Sequence, residues 1–150
     1  MSDNIDEDFR TVRGYQSPDS GSELSTAMED YLEMIARLAS TNSFARVNVL
    51  ASALHVKPPS VSKMIAKLKS SGLVTLDQNG NIYMTADGKK VAEYLLYRHE
   101  TIERFLLLIG SEHARKETEL IEHYLSQKTV KELSRLTSIL EKLEKDRLIL

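Results

Sequence analysis

The chain has 150 residues, 41% of them hydrophobic and 28% charged, with 6 Gly, 3 Pro and no Cys, a balance that fits one soluble domain with a modest core and excludes disorder throughout. A formal net charge of −2 gives no bulk attraction for nucleic acid or an anionic membrane, so any such binding is local. Zero cysteines exclude a disulfide scaffold, a thiolate zinc site and a cysteine nucleophile, and suit a reducing cytoplasm.

The opening residues, MSDNIDEDFR, are acidic and lead into no apolar stretch; neither a signal peptide nor a membrane span is expected. Residues 1–24 mix Asp, Ser, Gly and Pro without period and read as a mobile tail. Thr26-Ala27-Met28-Glu29 has capping-box spacing, and Met28, Tyr31, Leu32, Ile35 and Leu38 then recur at helical spacing, predicting a first helix over about 26–40. A second helix is expected over about 46–54. Pro58 and Pro59 suit the first turn of a third, which buries Val61, Met64, Ile65 and Leu68 until Gly72 stops it.

After Gly72 the period changes. Leu73 to Asp77 and Asn81 to Met84 read as two strands across Gln78-Asn79-Gly80, and Asn-Gly signals a tight hairpin turn. Thr85 then opens a long helix to about Ile109, ended by Gly110. A short helix is expected over about 111–125, and Thr129-Val130-Lys131-Glu132 offers a capping box for a last one to about Arg147.

Two helices joined by a short turn, followed by a hairpin, have the order of a winged helix-turn-helix. His55 occupies the turn position that often holds Gly, and His visits left-handed backbone more readily than most residues. Charge supports a phosphate-facing role. Residues 34–76 carry six bases (Arg37, Arg46, Lys57, Lys63, Lys67 and Lys69) and no acid, and counterion release needs Lys and Arg unopposed by carboxylates. The residues offered to DNA are Pro59, Ser60, Ser62, Lys63 and Lys67, with Asn79 and Gly80 at the wing tip. The competing reading is a winged helix used only for protein contacts.

Glu119, Glu122 and His123 stand at i, i+3 and i+4, so on a helix they project from one face and are able to close on one ion. Asp30 and Glu33 repeat the i, i+3 carboxylate pair on the first helix, while His99 stands alone on the fourth, one turn before Glu103. Periodicity points the other way: the apolar arcs of both helices lie opposite these acids, as on ordinary solvated faces. Both readings stand on spacing alone. His55 and His113, with no carboxylate pair at helical spacing, are assigned structural or surface roles.

Met28-Glu29-Asp30-Tyr31-Leu32-Glu33, the segment from Ala45-Arg46-Val47 through Ser60-Val61-Ser62-Lys63-Met64, Tyr97-Arg98-His99-Glu100 and Glu119-Leu120-Ile121-Glu122-His123 resemble the manganese transport regulators, the smaller branch of the diphtheria-toxin-repressor superfamily. The resemblance covers about residues 26–126 in order and spacing, and the final helix in character only. It implies that Asp30, Glu33, His99, Glu119, Glu122 and His123 bind two Mn²⁺ ions per subunit, with Fe²⁺, Zn²⁺ or Cd²⁺ accepted in vitro. The iron branch typically has Met at the position of Asp30 and Cys at that of Glu119; oxygen in their place suits Mn²⁺ and removes the bias toward softer ions. Tyr124 departs from members with a second consecutive His, and the SH3-like domain of many iron-type members is not expected here.

The expected fold is therefore mainly α: a winged helix-turn-helix with a two-stranded β wing over residues 25–90, after the 1–24 tail, and an all-α metal-binding and dimerisation domain over 91–150. The expected function is a cytoplasmic, homodimeric repressor of metal-uptake genes that binds a palindromic double-stranded DNA operator when Mn²⁺ joins head to dimer domain, without membrane association or enzymatic activity. Val130, Leu133, Leu136, Leu140 and Leu143 on the last helix offer an apolar stripe to the partner. A di-metal enzyme of ferritin type needs paired Glu-x-x-His motifs, which none of the four histidines provides. The alternative is a winged-helix regulator controlled by an organic ligand or protein partner, with no metal site.

Overall fold

A computed structural model describes residues 24–148, and the tail predicted for 1–24 lies outside them except for Leu24. Helix α1 runs Thr26–Asn42. Its cap is Ser25, whose hydroxyl accepts from the Met28 amide at 3.3 Å, one residue before the predicted Thr26. Ser25 has the extended backbone an N-cap requires, whereas Thr26 is already helical. Ser43, at φ 65°, ends the helix.

The chain then forms a two-residue strand β1 (Ala45–Arg46), α2 (Val47–Ala53) and α3 (Pro58–Ser70). His55 takes φ 54° in the turn between the helices, as the sequence implied, and the Val56 amide bonds back to the Ala51 carbonyl at 3.0 Å. Strands β2 (Val74–Leu76) and β3 (Asn81–Met84) form the wing. The sheet has a third member: β1 pairs antiparallel with β3, Ala45 opposite Ile82 and Arg46 opposite Asn81, giving the order β1-β3-β2.

The wing loop is a three-residue one. Asp77 and Asn81 pair through the backbone, the Gly80 amide donates to the Asp77 carbonyl at 3.1 Å, and Gly80 takes φ 74°, the turn-plus-αL arrangement that closes hairpins one residue longer than the tight Asn-Gly type.

Helix α4 (Ala86–Leu108) begins at Thr85, which accepts from the Gly88 amide at 3.0 Å and donates to the Gly72 carbonyl at 2.6 Å. Gly88 lies so close to the Leu73 backbone that a Cβ would overlap the Leu73 carbonyl oxygen. The start of α4 is thereby locked to the head. Helix α5 (Ala114–Ile121) is shorter than predicted, because the chain tightens into a 3-10 turn at Glu122–Tyr124. Helix α6 (Gln127–Leu148) starts earlier than the predicted capping box; Ser126 accepts from the Thr129 amide at 3.1 Å.

One apolar core joins α1, α2, α3, the sheet and the first half of α4 around Leu32, Ile35, Leu50, Val61, Leu68 and Ile82. Beyond it α4 packs on α5 and α6, burying Ile102, Ala114 and Val130. Within the predicted α6 stripe Val130 is buried, while Leu136 and Leu143 are exposed. No helix among the described residues is long and apolar enough to cross a membrane.

Candidate metal centre and DNA-facing surface

Three segments converge where the head meets the helical half. Helix α1 supplies Asp30 and Glu33, α4 supplies His99, and the end of α5 with its 3-10 turn supplies Glu119, Glu122 and His123. His99 is the hub: its Nδ1 lies 3.4 Å from Glu122 Oε1, 3.5 Å from Glu119 Oε1 and 3.7 Å from Glu33 Oε1. Beside it His123 Nε2 lies 3.0 Å from Asp30 Oδ1. All six residues implied by the resemblance are thus brought together, in two adjoining groups.

On α1 the apolar arc is buried as amphipathicity suggested, with Glu33 buried beside it; at the end of α5 the pattern is broken. Glu122 is fully buried and Glu33 and His99 nearly so, whereas Leu120, Ile121 and Tyr124 are 64%, 39% and 55% exposed. The chain tightens into 3-10 geometry at Glu122, the buried acid of this segment.

The electrostatics are those of a cation site. The hydrogen bond to Glu122 raises the pKa of His99 against the opposing effect of burial, with Glu33 and Glu119 adding to the rise. Burial, then the neighbouring Glu122 carboxylate, raises that of Glu119, whose carboxyl end turns into the cluster. His123 is pushed up to about 10 by its hydrogen bonds to Asp30 and Glu29. Glu122 Oε2 is buried without a hydrogen bond, with Arg98 Nε standing 3.8 Å away. Three carboxylates around a single imidazole nitrogen, one oxygen of them unsatisfied, fit a divalent cation, and a donor set of O and N without sulfur suits Mn²⁺.

Glu29, Arg98 and Arg37 escaped the sequence reading, and Glu103 was noted only as lying one turn from His99. Glu29 accepts from His123 Nδ1 at 2.7 Å and from Arg98 at 2.9 Å. Glu103 lies 3.3 Å from the far nitrogen of His99 and accepts from Arg115 at 3.2 Å. Arg37 donates to Glu33. A signal for Arg98 was present: with His99 it interrupts the buried stripe of Leu95 and Ile102 on α4, and a charged pair on a core-facing stripe requires partners.

Elsewhere on the head, Pro59, Ser60, Ser62, Lys63 and Lys67 are all exposed on α3. The Ser62 hydroxyl is engaged with the Pro58 carbonyl at 3.2 Å, and Pro58 and Pro59 occupy the first turn, where their missing amides cost nothing. At the wing Asn79 is exposed and Gly80 half-buried. Asp77 organises the loop, accepting from the Asn79 amide at 2.8 Å and the Asn81 amide at 2.9 Å; these bonds, that from Asn81 first, hold its carboxyl below the usual range. His55 and His113 are both exposed and outside the cluster.

Comparison with known proteins gives one family. Residues 23–82 match the iron dependent repressor, N-terminal DNA binding domain, and residues 85–147 match the iron dependent repressor, metal binding and dimerisation domain. The HTH-type transcriptional regulator MntR of Shouchella clausii is 42% identical over 102 residues, 67% of this chain and 71% of that protein. Among solved structures, the manganese regulator SloR superposes with a TM-score of 0.66 at 29% identity, over 74% of this chain. ScaR with bound Cd²⁺ superposes with 0.63 at 31% identity, also over 74% of this chain. The chain spans 53% of the length of each of these two structures.

Proposed function

The chain belongs to the iron-dependent repressor family, and from that membership we propose that it is a manganese-responsive, DNA-binding transcriptional repressor of metal-uptake genes, active as a cytoplasmic homodimer on a palindromic operator. As a member of a family of transcriptional repressors it is not an enzyme. The observation that carries the metal reading is the convergence of carboxylates from α1 and from the α5 end on His99. A regulator controlled only by an organic ligand or a protein leaves unexplained why Glu33 and Glu122 are buried against His99.

In this reading Asp30, Glu33, His99, Glu119, Glu122 and His123 hold two divalent ions. When bound, those ions supply the positive charge that four converging carboxylates lack. Asp30 and Glu33 belong to the head (residues 25–90), and Glu119, Glu122 and His123 to the dimerisation half (91–150). Neutralising their repulsion would hold α1 against α4 and the end of α5, and so would narrow the range of head positions. A symmetric dimer must present two copies of α3 at a spacing set by the helical repeat, about 34 Å or a multiple, so a fixed head raises operator affinity without altering a base contact. Pro59, Ser60, Ser62, Lys63 and Lys67 on α3, with Asn79 and Gly80 on the wing, form the DNA-facing surface. The exposed Leu136, Ile139 and Leu143 of α6 are offered to the partner subunit.

The test is a Mn²⁺ titration read in two ways, by thermal melting and by fluorescence binding to operator DNA. Both stability and affinity are expected to rise together. If Mn²⁺ at micromolar to millimolar concentration changes neither, the metal-responsive reading is wrong.

A further inference from the structure

Glu29 meets His123 from the side of the ring opposite Asp30. Its Oε2 lies 2.7 Å from His123 Nδ1, while Asp30 Oδ1 lies 3.0 Å from Nε2. The same Glu29 oxygen takes a bond from Arg98 Nη2 at 2.9 Å, and Arg98 is only 4% exposed. Arg98 Nη2 also stands 3.1 Å from His123 Nδ1. A guanidinium carries donors only, so it cannot accept a proton from that nitrogen. Both groups instead donate to one carboxylate oxygen, which places a proton on Nδ1 and leaves Nε2 as the nitrogen free to exchange its proton for a cation.

Charge assigns the same division of labour. Asp30, Glu33, Glu119 and Glu122 together match the charge of two divalent ions; of the two remaining acids beside the imidazoles, Glu103 pairs with Arg115 and Glu29 with Arg98. Glu29 is thus an orienting carboxylate, not a surplus ligand. We propose that Glu29 and Arg98 are a positioning pair that holds the His123 imidazole in its Nδ1–H form and turns Nε2 toward the metal. The inference rests on the metal-binding reading above. It also gives Glu29 a place in joining the two halves, since Glu29 lies on α1, Arg98 on α4 and His123 beyond α5.

Cd²⁺ is the probe, because it is diamagnetic. In the wild-type protein loaded with Cd²⁺, ¹⁵N spectra should show coupling of cadmium to His123 Nε2 and a proton on Nδ1. Glu29→Ala should weaken the His123-dependent binding event about 10- to 100-fold by calorimetry, the usual effect of losing the carboxylate behind a metal-bound imidazole. Glu29→Gln keeps an acceptor for the Nδ1 proton and should fall between wild type and Glu29→Ala. Cadmium on Nδ1 in the wild-type protein overturns the proposal and requires no variant. Wild-type affinity in Glu29→Ala overturns it equally and leaves the metal-responsive reading intact. Failure of the wild-type protein to bind Cd²⁺ or Mn²⁺ removes both.

Discussion

Arg37 donates to Glu33 Oε1 at 2.6 Å, and that same oxygen lies 3.7 Å from His99 Nδ1. One of the six bases in the acid-free stretch is therefore turned toward the metal centre and is not offered to phosphate. A cation entering beside His99 competes with Arg37 for the oxygen. The Arg37 side chain is 46% exposed, so the i, i+4 pair is worth only about 0.5 kcal/mol after screening. Arg37→Gln should bind Mn²⁺ about twofold more tightly, measured by calorimetry at moderate salt. Weaker binding would mean that Arg37 supports Glu33 as a ligand.

Glu119 has a side chain 55% exposed, so its truncation leaves no cavity. Glu119→Ala should fold with a metal-free melting temperature close to wild type and lose most of the Mn²⁺-induced rise in melting temperature and operator affinity. A retained Mn²⁺ response, followed by scanning calorimetry and DNA titration, would remove Glu119 from the ligand set.

The His123 pKa, raised from 6.5 to about 10, has opposite consequences for the metal-free and metal-bound protein. Because the folded value exceeds the unfolded one, the imidazolium's contribution to metal-free stability is complete below pH 6.5 and is lost as pH rises through about 10. If His123 is a ligand through Nε2, Mn²⁺ has to displace that proton, so its affinity should climb through the same window, by at most about tenfold per pH unit for this one proton. Calorimetry in two buffers of different ionisation enthalpy should detect about one proton released from this group at neutral pH. A metal affinity independent of pH across that window would exclude His123 as a ligand.

A methyl group at position 88 would overlap the Leu73 carbonyl oxygen, a rigid backbone atom. Gly88→Ala should destabilise the protein by about 1–3 kcal/mol, as overpacking commonly does, despite the better helix propensity of alanine. Urea denaturation monitored by circular dichroism checks the value. Unchanged stability would mean that the α4 start is free to move off the head.

Lys63 and Lys67 stand one turn apart on the exposed side of α3, whereas residues 73–84 of the wing contain no Lys or Arg. Lys63→Ala should weaken binding to operator and scrambled DNA alike and, if it removes one phosphate contact, reduce the log–log salt slope by about 0.9 per monomer. Asn79→Ala should leave the slope unchanged. Wild-type slope and affinity in both Lys63→Ala and Lys67→Ala would move the DNA contact away from α3.

The head was the more legible half. Helices α1, α3 and α4 carry apolar repeats of several turns bounded by Ser, Pro and Gly signals, and each formed within a few residues of expectation. Strand β1 was not readable, because two residues define no period and Arg46 looked like the start of a helix. Without the resemblance, spacing left the acids at the end of α5 undecided between ligands and a solvated face. Periodicity recognises that Leu120, Ile121 and Tyr124 form an apolar arc, but it cannot distinguish a face buried within the chain from one left outside it. In α6 the same ambiguity split the stripe, with Val130 inside and Leu143 out.

The pairing of β1 with β3 gives the wing a second anchor. Ala45 and Arg46 stand directly before α2, and they are hydrogen-bonded to the strand that carries the wing back from its tip. The hairpin and the two helices of the DNA-reading motif accordingly behave as one casting and not as a finger hinged on a palm. If α3 and the wing both face DNA, a base pair that suits α3 but displaces the wing would strain the β1–β3 pairing, and a tilt of the whole head in response would reach Asp30 and Glu33 through α1. Operators of different sequence should therefore bind with different apparent metal requirements, even where the wing touches the same base steps.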